Sequence, residues 1–131
     1  MDKLLLIKAS SRLGMKYIPI GGTVLNLGVE HGVEAILSND FVEKISKQYS
    51  IDSLEYNFSK PENIANEEYY NILAKETNNL AENIFKKLNS SKYKCVLTVG
   101  GDHSVSLASV LGIFRFLKGR KVKMIDFDSH G

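Results

Sequence analysis

Apolar positions along the chain fall into two kinds of segment, short continuous runs and longer stretches with helical spacing. Leu4–Ile7 and Tyr93–Val99 are short apolar runs, typical of strands buried on both faces of a parallel sheet. From Asn66 to Leu88 apolar residues recur three or four positions apart, and this spacing predicts an amphipathic helix. Ser104–Leu117 has the same period but too many apolar residues for one face, so we expect that helix to be covered on more than one side.

Weaker patterns fill the rest of the chain. Val29–Leu37 has apolar residues at helical spacing, and Phe41–Ile45 begins a further helical turn or two. Tyr49–Phe58 is a weak strand candidate, and residues 9–28, with their glycines and Pro19, are typical of a loop. Lys121–Phe127 is predicted to be the last strand.

This order of elements predicts an α/β fold. A strand, a helix and a second strand joined by short turns form a βαβ unit, so the sheet should be parallel and its crossovers right-handed. In open α/β sheets the chemistry lies at the carboxyl ends of the strands. Two polar motifs, Gly100–Ser104 and Asp126–Gly131, fall at such ends.

The second motif has the spacing of a metal site. Asp126, Asp128 and His130 alternate, so on a strand they point to the same face. Three polar groups on one face of an apolar strand are costly unless they are solvated, paired or bound to metal. His103 supplies another candidate ligand at the neighbouring strand end. A divalent metal site is therefore predicted, with a solvated or structural role as the alternative.

Gly100–Ser104 also admits a purely structural interpretation. Its two glycines allow a sharp turn off the strand, and Asp102 or Ser104 is a suitable cap for the helix that follows. Such a cap is compatible with a ligand role for His103. A phosphate-binding loop is excluded by spacing, because neither glycine-rich nucleotide motif is present.

Composition narrows the class of protein. The 131 residues suffice for one domain, and a net charge of +2 from 17 basic and 15 acidic residues is too balanced to favour nucleic acid or a membrane surface as partner. The single cysteine excludes an intrachain disulfide. The first apolar run is too short for a signal peptide, and no run approaches about 18 apolar residues, so we expect a cytoplasmic protein.

Together these motifs resemble the arginase/agmatinase (ureohydrolase) family. That family carries a Gly-Gly-Asp-His-Ser motif, here Gly100–Ser104, followed at the next strand end by an Asp-Ala-His-x-Asp motif, here Asp128-Ser129-His130-Gly131. Residues 28–32, Gly-Val-Glu-His-Gly, resemble the family's N-terminal Gly-Val-Glu-x-Gly-Pro segment in a form more typical of arginases than of agmatinases.

The resemblance implies a three-layer α/β/α fold, with residues 1–131 as the N-terminal part of a single domain. It also implies a two-manganese cluster in which His103 binds one ion, Asp128 bridges both and His130 binds the second. In the family, water activated by the two ions attacks the guanidinium carbon of a small-molecule substrate and urea leaves. The expected reaction is hydrolysis of arginine to urea and ornithine, with agmatine or another guanidino compound as the alternative substrate.

The family's next ligand would be an aspartate directly after Gly131, and a later aspartate pair would complete the set. One hypothesis is therefore an arginase-type metallohydrolase represented by its N-terminal part. The other is a non-catalytic product of a truncated or split reading frame, either inert or assembling with a separately encoded C-terminal remainder. A homo-oligomer is a further expected form of assembly.

Overall fold

The computed structural model describes residues 1–14, 19–20, 23–24, 28–61 and 64–127. In chain order the elements are β1 (Lys3–Ser10), β2 (Pro19–Ile20), β3 (Thr23–Val24), a 3₁₀ turn (Val29–His31), α1 (Gly32–Ile36), α2 (Asn39–Ser46), β4 (Ser50–Asn57), α3 (Asn66–Ser90), β5 (Cys95–Gly100) and α4 (Ser104–Leu117). The sequence predicted helices α3 and α4. It also predicted β4 and β5, the strands before and after α3 in the chain.

Three parallel strands form the main sheet, in the order β4-β1-β5. Leu5 of β1 lies opposite Asp52 of β4 and Val96 of β5, so the middle strand is paired on both sides. Because β1 contributes four consecutive buried residues, Leu4 to Ile7, it has the continuous apolar run that a central parallel strand requires. This confirms the predicted α/β class.

Helices cover both faces of the sheet and produce three layers. On one face Leu5, Ile7 and Ala9 pack with buried residues of α3 and α4, among them Leu80 and Ile84. On the other face Leu4 and Leu6 pack with Val33 of α1 and, at the margin, with Leu37 and Ile45. The alternation of β1 side chains between these two cores follows from the two-residue period of a strand.

Helices α3 and α4 lie against each other at a glycine. A methyl group on Gly112 would lie 2.7 Å from the carbonyl oxygen of Ala81 and 2.8 Å from Cβ of Ile84. Only a residue without a side chain permits this approach. Helix α4 then ends at Lys118 and Gly119, which both adopt the left-handed conformation, as the glycine at this position predicts.

The predicted last strand is not formed. Residues 121–127 have no regular secondary structure, and their apolar side chains Val122, Met124, Ile125 and Phe127 are exposed. A strand needs a hydrogen-bonded neighbour and cover for its apolar side chains, and within the described part of the chain β5 keeps β1 as its only paired neighbour.

Two smaller expectations were also wrong. Helix α4 is not covered on several sides among the described residues, since Leu107 and Phe114 are each 58% exposed. The segment predicted as a loop contains the short antiparallel pair of β2 and β3, in which Pro19 lies opposite Val24. In the sequence a Gly-Gly pair stands between the two strands, and such a pair is a hairpin signal that the loop prediction did not use.

None of the helices in the described ranges has both the length and the apolar content that a transmembrane span requires.

Candidate metal site at the ends of β1 and β5

The candidate site lies at the carboxyl ends of β1 and β5. The chain adds β4 on one side of β1 and β5 on the other, so the direction of strand addition reverses between β1 and β5. At such a reversal the connections leave the sheet on opposite faces and a crevice opens between the strand ends. The residues that follow the two strands, Ser11–Gly14 and Gly101–Ser104, meet there.

Gly101 brings three backbone segments together at this crevice. A methyl group on Gly101 would lie 2.2 Å from the carbonyl oxygen of Ser11, 2.7 Å from that of Val29 and 2.8 Å from Cα of Glu30. All three neighbours are backbone atoms, which cannot move aside as a side chain can. The glycine therefore allows residues 28–32, the third motif of the sequence, to pack directly on the loop after β5.

Asp102 joins the loops after β1 and β5. Its Oδ2 accepts a hydrogen bond from the backbone N–H of Gly14 at 2.7 Å, and its Oδ1 accepts one from the backbone N–H of Ser104 at 2.9 Å. The cap position of α4 is His103, so the predicted cap residues are each one position away, but Asp102 still satisfies the N–H of Ser104, the first residue of the helix. A carboxylate at this end of a helix also interacts favourably with the helix dipole.

Serine hydroxyls extend this connection into the protein interior. Ser104 Oγ donates to Asp102 Oδ1 and lies 2.7 Å from Ser11 Oγ. Ser11 Oγ in turn accepts a hydrogen bond from the backbone N–H of Leu13 at 3.1 Å. Ser11 is only 1% exposed, so the hydrogen bonds become shielded from bulk water toward the Ser11 end, while Asp102 and Ser104 are half-buried.

Helix α3 supports the loop after β1 from the side. The buried Tyr69 hydroxyl donates to the carbonyl oxygen of Leu13 at 2.6 Å. Burial raises the pKa of Tyr69, and the negative charge of Asp102 raises it further. Tyr69 therefore stays protonated and acts as a donor throughout the neutral range.

Glu30 is a buried carboxylate beside the site. Its Oε2 accepts a hydrogen bond from the backbone N–H of Gly28 at 3.0 Å, and its Oε1 lies 3.9 Å from Arg12 Nη1 and 3.6 Å from Lys60 Nζ. Burial alone would raise the pKa of Glu30, but the backbone N–H groups of Glu30 and Gly28 and the two cations outweigh it and lower the pKa. Glu30 is thus an ionised link between the segments that follow β1 and β4.

The structure places one of the three predicted ligands at this crevice. His103 is exposed at the start of α4, directly between the anchored Asp102 and Ser104. Asp128 and His130 lie outside the described residues, and Asp126 is exposed in the irregular segment 121–127. In the described ranges no group of three or more potential ligands occurs.

The donor chemistry can still be tested against manganese. An imidazole at a strand end together with a carboxylate and a second imidazole is a mixed nitrogen and oxygen set, which suits a divalent ion of this kind. Asp102 is not among the ligands that the resemblance implies, and its oxygens accept three hydrogen bonds from Gly14 and Ser104. His103 is compatible with a ligand role, since the residue is exposed and its two neighbours are hydrogen-bonded in place.

Sequence reasoning missed Ser11 and Glu30. Ser11 had a signal, because a serine pair directly after a buried strand lies at the end of the sheet where α/β sites occur. For Glu30 the only signal in the sequence was its position in the motif at residues 28–32. A single sequence does not show that its carboxylate is buried between Arg12 and Lys60, since these residues are brought together by the fold.

Comparison with known proteins extends over most of the chain. The model of a family described as the Arginase family matches residues 14–131. No curated protein matches the chain. The family match includes the loop after β5 and the segment at residues 28–32, and it begins at Gly14, the last residue of the loop after β1.

Proposed function

Because the chain belongs to the arginase family, we propose that it carries the N-terminal metal-binding part of a ureohydrolase site. Membership of this family indicates a hydrolase of the ureohydrolase type. The observation that carries the proposal is the meeting of Gly100–Ser104 and residues 28–32 at the β1/β5 crevice, where an α/β sheet binds its ligands. Two motifs that are about 70 positions apart in the sequence are thereby in contact.

The proposed ligands are His103, Asp128 and His130, and the proposed ion is manganese. Two such ions, when bound, lower the pKa of water and stabilise the charge that develops during hydrolysis. His103 contributes a nitrogen donor from a loop whose flanking residues are hydrogen-bonded in place. Gly101 contributes by its small size, because it lets the backbone of residues 28–32 close over the loop.

The proposed substrate is a small molecule with a guanidino group. Arginine, cleaved to urea and ornithine, is the first choice because residues 28–32 have the form more typical of arginases. Agmatine is the second choice. A comparison of urea release from the two compounds decides between them.

The ligand role of His103 is tested by manganese binding to the whole chain. We expect His103→Asn to weaken binding strongly, because it removes a nitrogen donor. His31→Asn is the matched control, since His31 is also exposed and lies in the segment of residues 28–32 but is not a proposed ligand. Equal manganese affinity of both variants and the unchanged chain contradicts the role of His103.

The assembly of the site is tested by activity. Urea release is measured with manganese for the 131-residue chain and for a version extended through the downstream reading frame. Turnover by the 131-residue chain itself contradicts the alternative of a non-catalytic product. Turnover only after extension, or after addition of a separately encoded remainder, supports a need for further ligands. An extended version that binds no manganese contradicts the proposed function.

A further inference from the structure

His103 is held between two residues that are both tied to the loop after β1. Asp102 accepts a hydrogen bond from Gly14 N at 2.7 Å, and Ser104 Oγ lies 2.7 Å from Ser11 Oγ. The His103 side chain itself is exposed. The loop is therefore fixed on either side of His103.

The number of hydroxyl hydrogens determines which group donates in each hydrogen bond between Ser11, Ser104 and Asp102. A hydroxyl has one hydrogen to donate, and Ser104 donates its hydrogen to the Asp102 carboxylate. The hydrogen between the two serines must then come from Ser11, which also accepts from the backbone N–H of Leu13. The resulting chain runs from Leu13 N–H through Ser11 and Ser104 to Asp102, and a chain of this kind strengthens each of its members.

We propose that Asp102, with Ser104 and Ser11 behind it, is a positioning residue that fixes the orientation of His103 toward a bound metal ion. The proposal rests on the proposed function, since it takes His103 as a ligand. In this proposal Asp102 acts on His103 through the loop backbone and is not itself a ligand. Residues that hydrogen-bond a metal ligand directly affect metal affinity by about 10–100-fold in known metal sites, and we take this range as the expected size of the effect of Asp102.

Asp102→Asn is the most selective test variant. The amide has nearly the same shape as the carboxylate, but an NH₂ donor replaces one of the two acceptor oxygens. Both carboxylate oxygens accept from N–H groups, Gly14 N on one side and Ser104 N on the other. An amide presents a donor on one side, so one of these contacts is lost. Ser11→Ala removes the hydroxyl at the other end of this series of hydrogen bonds, so the Leu13 N–H loses the acceptor Ser11 Oγ.

Ser106→Ala is the matched control. It makes the same chemical change as Ser11→Ala in the first turn of α4, and among the described residues no hydrogen bond of its hydroxyl occurs. Its backbone N–H still donates to the carbonyl oxygen of His103 at 3.1 Å, so the helix start is unaffected.

Two measurements on the full chain separate positioning from stability. The first is the NMR order parameter of the His103 backbone N–H without metal, expected near about 0.85 in the unchanged chain and below about 0.6 in Asp102→Asn. The second is manganese binding, followed by the electron paramagnetic resonance signal of free Mn²⁺ well below the unfolding temperature of each variant. We expect about 10–100-fold weaker binding for Asp102→Asn and no change for Ser106→Ala.

The outcomes distinguish this proposal from the proposed function. Unchanged order and unchanged manganese affinity in Asp102→Asn overturn the positioning role while the metal site stands. A weaker affinity in Ser106→Ala of the same size as in Asp102→Asn also overturns it. If the unchanged chain and its extended version bind no manganese, the proposed function fails, and an unchanged order parameter in Asp102→Asn then overturns the positioning of His103 as well.

Discussion

The loop after β5 contains one proposed ligand and the segment after α4 precedes the other two in the sequence, yet these two stretches differ in how they are held. Gly100–Ser104 is polar, but Asp102 and Ser104 are bonded to the loop after β1 and Gly101 packs on the backbone of residues 28–32. Residues 121–127 are largely apolar, and their side chains are exposed. The surrounding partners thus decide whether a segment is packed into the fold, and a high content of apolar residues is not sufficient for packing.

The same contrast separates β1 from β5. Strand β1 is hydrogen-bonded on both sides and covered on both faces, and Leu5 and Ile7 are fully buried. Strand β5 has β1 on one side, and of its six residues only Val99 is buried. Burial in this sheet follows the number of neighbours, so mutations should have their largest effect in β1.

Within the strands of the sheet, the largest effect is therefore expected for Leu5→Ala. Removing a fully buried leucine side chain leaves a cavity and should lower the free energy of unfolding by about 2–5 kcal/mol. Leu107→Ala is the matched control, since it makes the same change at an exposed position of α4 and should cost less than about 1 kcal/mol. Urea denaturation measures both. Equal losses would contradict the contrast between covered and uncovered elements.

Most of the fold could be predicted because its patterns are local. The apolar run of β1 and the helical spacing of α3 are properties of consecutive residues, and both elements formed where they were predicted. The strand at Lys121–Phe127 failed because its formation depends on neighbours that local pattern does not supply. His103 could be predicted as a site residue from its motif, whereas the contacts of Ser11 and Glu30 depend on distant segments.

The next largest effect is expected for Gly101→Ala, which tests the loop after β5. The new methyl group would meet backbone atoms at 2.2 and 2.7 Å, so the segments must separate, at a cost of about 3 kcal/mol. Gly32→Ala is the control, because its nearest neighbour is the Gly100 carbonyl oxygen at 3.3 Å and a small shift relieves the contact. Thermal unfolding of the two variants compares them. A Gly101→Ala chain as stable as Gly32→Ala would show that the loop is not closely packed.

A third effect depends on pH and arises at Glu30. The pKa of Glu30 is lowered in the folded chain, so its ionised form stabilises the fold above the unfolded pKa of 4.5, and this contribution is lost as pH falls through the folded value. Glu30→Gln should cost about 1–3 kcal/mol at pH 7, because buried donors and cations lose a charged acceptor, and the difference should shrink below pH 4.5.

The control for Glu30 is Glu55→Gln. The side-chain hydrogen bond from Lys8 and its charge lower the pKa of Glu55, but this ion pair is exposed to solvent. High salt should therefore remove most of the effect of Glu55→Gln and little of the effect of Glu30→Gln. Urea denaturation at two pH values and two salt concentrations measures both. A Glu30→Gln effect that disappears in salt would show that Glu30 is not a buried link.

The smallest effect is expected in the segment 121–127. Phe127 is 94% exposed, so Phe127→Ala should change the free energy of unfolding by less than about 0.5 kcal/mol. Phe58→Ala is the matched control, because Phe58 is buried in the core between the sheet and α3 and its loss should cost about 3–5 kcal/mol. Hydrogen exchange gives an independent measure, with fast exchange expected at residues 122–127 and slow exchange in β1. A loss above about 1 kcal/mol in Phe127→Ala, or protection of these amides, would show that the segment has a packing partner in solution, and the contrast with the loop after β5 would then be wrong.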